Sequence, residues 1–369
     1  MKKILFLIHD LGNGGSEKVL VNLVNNMDPQ KFDISVTALF GGGVNEQFLK
    51  PHIRYRAVFP RLIPGNSRLM KLLTPKQLHR LCVPERYDIE VSYLEGPSAR
   101  TISGCRDAST KLVSWIHVQQ ENMETLAASF RNEKEARNCY DRFHRTICVS
   151  EYVKKDFCSV LNFSKPCDVL YNTVESQKIL QLSKDAAPEL EDDGKLRLVA
   201  VGTLKESKGY DRMLRIIKRL HGNGYPIHLY ILGEGPKRKD LEQYVREQEL
   251  QGAVTFLGYH TNPYKYVAKC DLFVCASFAE GFSTAATEAL IVGTPVCTVE
   301  VSGMKEMLGQ NNEWGIVTEN DEEALYQGIK QLLDDPKRLD HYKEKATQRG
   351  KLFSTDNTVK AVEQMLLSL

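Results

Sequence analysis

The run Asp271-Leu-Phe-Val-Cys-Ala-Ser277, followed by Glu280-Gly-Phe-Ser-Thr-Ala-Ala-Thr-Glu288, decides how this chain is read. The first piece is short, apolar and rich in β-formers, and it stops at small residues, so it predicts a buried strand. Ser283 then stands where it caps a helix through Ala285, Ala286, Glu288 and Leu290, closed by Gly293 ahead of a Thr-Pro. Glu280 falls on the turn, and Glu288 about a turn and a half into the helix at ~1.5 Å per residue. The amides of Gly281, Phe282 and Ser283 lie between the two carboxylates, and helix N-termini attract anions. A carboxylate, a phosphate-sized cradle and a second carboxylate suit a ligand made of a sugar, a diphosphate and a ribose. A glutamate near a helix N-terminus also arises as a plain dipole partner, and Glu288 as a solvated helix residue. The rest of the chain decides between these readings.

At 369 residues the chain exceeds one comfortable core, so two domains are expected. Its net charge of +2 gives no reason to expect a nucleic-acid partner. The start, Met1-Lys-Lys-Ile-Leu-Phe-Leu-Ile-His-Asp10, has too short an apolar centre for a signal peptide and reads as a first buried strand. No apolar run approaches the ~20 residues of a membrane span. Nine cysteines without a Cys-x-x-Cys pair give neither a disulfide framework nor a zinc site. Cys82, Cys148, Cys275 and Cys297 sit in apolar surroundings, as reduced core residues of a cytoplasmic protein do.

Apolar strands alternate with helical patterns throughout, which predicts parallel sheets built from βαβ units. Strands are expected at 4–8, 34–39, 89–93, 111–116 and 145–149 in the first half. In the second half they are expected at 196–201, 227–232, 253–257, 272–275 and 295–299. The polar, acidic stretch 176–195 reads as a linker between a domain at 1–175 and a domain at 196–352. In doubly wound sheets ligands gather at the carboxyl ends of strands, and the chain's motifs fall there. They are Gly14-Gly15-Ser-Glu17, Val113-Ser-Trp-Ile-His117, Leu170-Tyr-Asn172, Val201-Gly-Thr-Leu-Lys-Glu-Ser-Lys208-Gly209, Leu232-Gly-Glu-Gly-Pro236 and Phe256-Leu-Gly258-Tyr259.

In that order, and ending in the two glutamates, these motifs resemble the retaining glycosyltransferases of family 4, of the bacterial surface-polysaccharide and lipid-glycosylating type. The resemblance implies the GT-B fold, an α/β architecture of two Rossmann-like domains facing across a cleft, with the last helix (about 353–369) packing back on the first domain. It implies transfer of a sugar from a nucleotide-diphosphate donor, UDP on family frequency, to a hydroxyl of a glycan or polyprenyl-linked acceptor, with retention and an α-linkage. No metal or pyridoxal phosphate is expected, and no Asp-x-Asp triplet follows a strand. By the same resemblance His117, Glu280 and Lys208 are the catalytic residues. Gly14, Gly15, Gly202, Lys208, Gly258, Tyr259, Glu280, Gly281, Phe282, Ser283 and Glu288 bind the donor: Lys208 on the diphosphate, Glu280 on the sugar, Glu288 on the ribose, and the backbone near Gly258 and Tyr259 on the base.

Taken alone, the glycines at 14 and 15 read equally as a tight turn or a binding loop, and the resemblance favours binding. They are not Gly-x-Gly-x-x-Gly, and no acidic residue ends the second strand, so a dinucleotide reading is poor. The chain departs from the family at Thr203, where many members carry arginine. Lys205 or Arg212 are substitutes, or Lys205 is a solvated loop lysine. His9 and His144 read as structural. Asn172 is either a turn former or an interdomain or sugar contact.

Between Glu46 and Glu85 there is no acidic residue, while Lys50, Arg54, Arg56, Arg61, Arg68, Lys71, Lys76 and Arg80 alternate with leucines. The segment 47–84 is therefore expected to meet the anionic inner face of the bacterial membrane peripherally. The alternative is an ordinary solvated face whose arginines meet acids elsewhere. Other chemistries open to the architecture are a nucleotide-sugar epimerase, a phosphorylase, or a non-catalytic nucleotide-sugar-binding subunit.

Overall fold

Each apolar run becomes a strand of a parallel sheet, with the chain crossing over before the next. The computed structural model describes residues 1–369 other than 13, 63, 64, 191, 192, 281 and 302, and only the backbone at 67. The chain divides into two units, Met1–Val174 with Thr355–Leu369, and Glu175–Ser354.

Among the described residues the first unit holds seven strands. They are β1 (Lys2–Ile8), β2 (Phe32–Phe40), β3 (Arg54–Phe59), β4 (Ile89–Ser92), β5 (Lys111–Ile116), β6 (Arg145–Cys148) and β7 (Cys167–Val169). Their order is β3-β2-β1-β4-β5-β6-β7, every pairing parallel. Such sheets are covered on both faces, and in β1 the run Ile4 to Ile8 is at most 1% exposed. The terminal helix Thr355–Leu367 belongs to this unit. Its Thr355 Oγ1 donates to the Val174 carbonyl at 2.7 Å, and Glu363 Oε1 accepts the Asp28 amide at 2.7 Å.

The second unit holds β8 (Leu196–Val201), β9 (Ile227–Leu232), β10 (Val254–Gly258), β11 (Leu272–Cys275), β12 (Val296–Val299) and β13 (Ile316–Thr318). They lie parallel in the order β10-β9-β8-β11-β12-β13. The helix Tyr210–Gly222 shows how they are covered: Met213, Leu214, Ile216, Ile217 and Leu220 are buried along one face.

Both sheets reverse direction once, between β1 and β4 and between β8 and β11. The crevice at the carboxyl ends of such a strand pair is where doubly wound sheets take ligands.

Three strands were not read from the sequence, namely β3, β7 and β13, and all three are sheet edges. An edge strand is wet on one side, so β3 reads Arg-Tyr-Arg-Ala-Val-Phe rather than as an apolar run. The stretch read as a linker differs as well. It opens with a helix, Ser176–Leu182, whose Ile179 is buried, and Asn262 Nδ2 donates to the Leu182 carbonyl at 3.0 Å and to Asp185 at 2.9 Å. One helical turn of apolar residues inside a polar stretch is too brief to show as a period. Among the described residues no helix is long and apolar enough to cross a membrane.

Candidate functional site

The second unit's reversal point gathers charge. Past β11 the chain must turn sharply, and a buried arginine holds the turn. Arg212, 3% exposed, donates from Nε to the Ala276 carbonyl at 2.7 Å and from Nη2 to the Ser277 carbonyl at 2.9 Å. Its guanidinium lies 4.3 Å from the Phe278 ring centroid. So Arg212 is committed to the loop and does not stand in for the cation missing at Thr203. That loop sets Ser277 Oγ to donate to Glu280 Oε1 at 2.7 Å, and Lys208 Nζ reaches the same oxygen at 2.5 Å. Lys208 arrives from the loop after β8 on a short 3-10 turn, Glu206–Lys208. The turn closes on Gly209 at φ +64, where a Cβ would stand 2.0 Å from the Ala276 carbonyl oxygen. Only glycine fits there, and it lets the β8 and β11 loops approach closely enough to bring lysine to glutamate.

Ser283 caps the helix Thr284–Ile291, its Oγ accepting the Ala286 amide at 3.3 Å. Glu288 is not a solvated helix residue. It is 8% exposed, and its Oε1 accepts from the Tyr264 hydroxyl at 3.1 Å. A buried carboxylate costs several kcal/mol unless it is hydrogen-bonded, and Tyr264, invisible to the sequence reading, supplies one such bond. Phe282 is buried, its ring 5.8 Å from that of Phe353, so its side chain packs. Tyr259 is 71% exposed, just beyond Gly258 at the end of β10. Gly202 follows β8, and its carbonyl accepts from Tyr210 Oη at 3.2 Å. Thr203 and Lys205 are exposed. Gly281 lies outside the described residues.

The first unit's reversal point gathers histidines and carboxylates, several of them part-buried, and among the described residues no Lys208-like cation is paired to a carboxylate there. Gly14 precedes the helix Gly15–Asn26 in extended conformation without a side-chain cap. Glu17, in the first turn, takes the Ser16 hydroxyl at 3.0 Å, and burial raises its pKa. Asp10, after β1, accepts the Gly12 amide at 2.8 Å and His9 Nδ1 at 2.6 Å, while His9 Nε2 meets Asn66 Oδ1 at 3.3 Å. His9, read as structural, has both ring nitrogens partnered and is part-exposed just after β1. His144 does act structurally, its Nδ1 accepting the Leu112 amide at 3.0 Å.

His117 follows β5 with its ring 4.8 Å from Tyr93 and 6.4 Å from Trp115. It is 7% exposed, and its Nε2 is buried without a hydrogen-bond partner. Burial pushes its pKa down to about 3, so the imidazole is neutral. Its backbone N–H donates to Glu95 Oε2 at 3.0 Å. Glu95 was missed because nothing local marks it. It follows β4, some twenty residues upstream, and only the sheet order brings it beside His117. Asn172 is buried, with Oδ1 unpartnered.

In the segment 47–84, Arg54 pairs with Asp33 at 3.0 Å and Arg56 with the Cys82 carbonyl. Among the described residues Arg61, Arg68, Lys76 and Arg80 form no ion pair, and Leu62, Leu69, Leu72 and Leu81 are exposed. Two arginines fix this surface, the buried Arg100 donating to the Met70 and Leu73 carbonyls and the exposed Arg131 to those of Lys71 and Leu72, at 2.7–2.9 Å. Among the described residues one group of side chains has metal-ligating composition, His79, Glu90 and Cys105. They satisfy one another, with His79 Nε2 2.7 Å from Glu90 and Cys105 Sγ 3.7 Å from it. Burial opposes the charge of His79, yet its bonds to Cys105 and Glu90 prevail and lift its pKa to about 9.

Residues 13–178 match the family described as Glycosyltransferase Family 4, and residues 183–349 the family Glycosyl transferases group 1. The chain is 30% identical, over 96% of both chains, to the N-acetylgalactosamine-N,N'-diacetylbacillosaminyl-diphospho-undecaprenol 4-alpha-N-acetylgalactosaminyltransferase of Campylobacter jejuni. A second Campylobacter jejuni enzyme, an alpha-1,4-N-acetyl-D-galactosaminyltransferase, is 24% identical over 96% of this chain and 95% of its own. Among solved structures, Anabaena HepE in complex with UDP and glucose superposes with a TM-score of 0.78 at 18% identity, covering all of both chains, a likeness of fold.

Proposed function

This chain belongs to the family 4 glycosyltransferases of GT-B fold, and from that premise we propose that it moves a sugar from a UDP-sugar to a hydroxyl of a polyprenyl-diphosphate-linked glycan, with retention. The observation that carries the reading is the Ser277–Glu280–Lys208 cluster at the β8/β11 reversal point. There a cation sits beside a carboxylate already oriented by a hydroxyl. The diphosphate competes for Lys208, which offsets the charge of the leaving group, and Glu280, released, takes sugar hydroxyls. Glu288, preset by Tyr264, takes the ribose.

In the reaction the acceptor oxygen bonds to the anomeric carbon as the bond from that carbon to the donor's β-phosphate oxygen breaks. The acceptor proton passes to that same phosphate oxygen, with no metal. An imidazole of pKa about 3 is a poor base at neutral pH. His117 therefore contributes a hydrogen bond and shape, and the leaving phosphate takes the proton. The names of the Campylobacter relatives make an N-acetylhexosamine donor and an undecaprenyl diphosphate-linked acceptor the first to test. The exposed leucines and unpaired basic residues of the segment 47–84 support peripheral contact with anionic lipid at the cytoplasmic face.

The test is a panel of nucleotide sugars scored by thermal shift and slow hydrolysis, on wild type and Glu288→Ala. One donor that stabilises the wild type, is hydrolysed by it, and loses both effects in the variant is the expected result. No shift with any nucleotide would end the reading.

A further inference from the structure

Glu95 has no assigned role, yet it occupies the most informative place in the first unit. It follows β4, on one side of the crevice where the sheet reverses, and its carboxylate reaches across to the end of β5. There Oε2 accepts the His117 amide at 3.0 Å, and the Val118 amide also faces the carboxylate. The residue after it, Gly96, holds φ +74, and a Cβ there would stand 2.9 Å from Ser129 Oγ, so the turn that aims Glu95 is itself constrained.

Among the described residues the carboxylate forms no ion pair, and no cation is among the groups that shift its pKa. Glu17 approaches from the helix Gly15–Asn26 and opposes its charge, while Tyr140 and Cys148 feel that charge from the helix Glu133–Tyr140 and from β6. The neighbouring His117 imidazole is neutral. A carboxylate half-buried among neutral groups and beside a second carboxylate costs the fold stability, and a residue kept only for packing would be a poor choice there.

We propose that Glu95 is the positioning residue of the first unit's site, setting the His117–Val118 turn so that the imidazole meets the sugar substrate, and that its ionised form does this. The proposal rests on the glycosyl-transfer reading above. Burial lifts the Glu95 pKa from 4.5 to about 7. With a folded value above the unfolded one, stability is full below pH 4.5 and declines as pH rises toward 7, while in the folded protein the anion that holds the turn forms as pH rises through about 7. Stability and positioning therefore run in opposite directions with pH.

The experiment compares wild type with Glu95→Gln, which keeps a carbonyl acceptor and removes the ionisation, in transfer kinetics and thermal unfolding from pH 5 to 8.5. At pH 8 the variant is expected to transfer about tenfold more slowly, as for loss of one charge-assisted bond, with the donor KM unchanged. The wild type's loss of rate below about pH 7 should be missing in the variant. The variant's Tm at pH 8 should equal or exceed that of the wild type. A wild-type rate and pH profile in the variant overturns the proposal, and so does a fall in Tm at pH 8 that matches the loss of rate, since that marks a packing residue. If the wild type transfers to no acceptor, the transfer reading fails and the positioning role with it, and the Tm comparison still decides whether Glu95 is a strained carboxylate: a Tm at pH 8 equal to or above the wild type's upholds that, and a fall removes it.

Discussion

The two reversal points differ in kind. In the second unit Lys208 and Glu280 carry opposite charges and meet, together with the neutral Ser277, within hydrogen-bond distance. In the first unit His117 is neutral and buried, and its partner Glu95 reaches it through a backbone amide. The first arrangement suits a ligand of fixed charge, where a lysine is matched to phosphate. The second suits a hydroxyl-bearing ligand, where shape and neutral hydrogen bonds discriminate and a stray charge would be costly.

The contrast breaks most visibly at the charged side. Glu280→Gln and Lys208→Ala should each lower transfer about 10²–10³-fold, the scale of losing one preorganised transition-state contact. The two should separate in binding. Glu280→Gln frees Lys208 and leaves donor KM the same or lower, whereas Lys208→Ala raises it. Equal KM changes in both would show that the pair acts only as a structural bridge.

Arg212 tests whether the charged site depends on its buried support. Arg212→Ala removes two charge-assisted bonds to the 276–277 carbonyls, and urea denaturation should register a loss of about 3 kcal/mol. An unchanged stability with normal kinetics would mean that the turn after β11 holds itself.

An effect spread over pH sharpens the neutral side. His117 is held down to about 3 from an ordinary 6.5, so it contributes full stability above pH 6.5 and loses it as the pH falls toward 3. The slope is about 1.4 kcal/mol per pH unit. His117→Phe should flatten that part of the stability curve, and a curve of the same slope in the variant would place the acid sensitivity elsewhere. At the surface, Leu69→Ser with Leu72→Ser should weaken partition onto anionic vesicles by about 2–4 kcal/mol in all, with Tm unchanged. Co-sedimentation indifferent to both changes, to salt and to anionic lipid would remove the membrane contact.

The same contrast explains what could be read beforehand. Glu280, Ser283 and Glu288 lie within one strand-turn-helix segment, so short-range pattern singled them out, whereas Lys208 was singled out by the family resemblance of its glycine-bounded loop. The central strands were legible because burial on both faces makes them apolar throughout, whereas the edge strands β3, β7 and β13 were not. Tyr264 and Glu95 were silent, and the role of Arg212 was not legible, for another reason. Each acts on a partner distant in sequence, Glu288, the 276–277 carbonyls and the 117 amide respectively, and only the order of strands supplies those neighbours. Arg212 shows the hazard directly: a cation near a phosphate motif suggested a ligand contact, and its guanidinium is spent on backbone carbonyls.

The division of labour itself is tested most directly by isothermal titration of UDP into wild type, Lys208→Ala and His117→Ala. The account predicts a Kd weakened about tenfold or more in Lys208→Ala, the loss of one charge-assisted contact to phosphate, and a wild-type Kd in His117→Ala. Wild-type affinity in Lys208→Ala, or a comparable loss in His117→Ala, would contradict it.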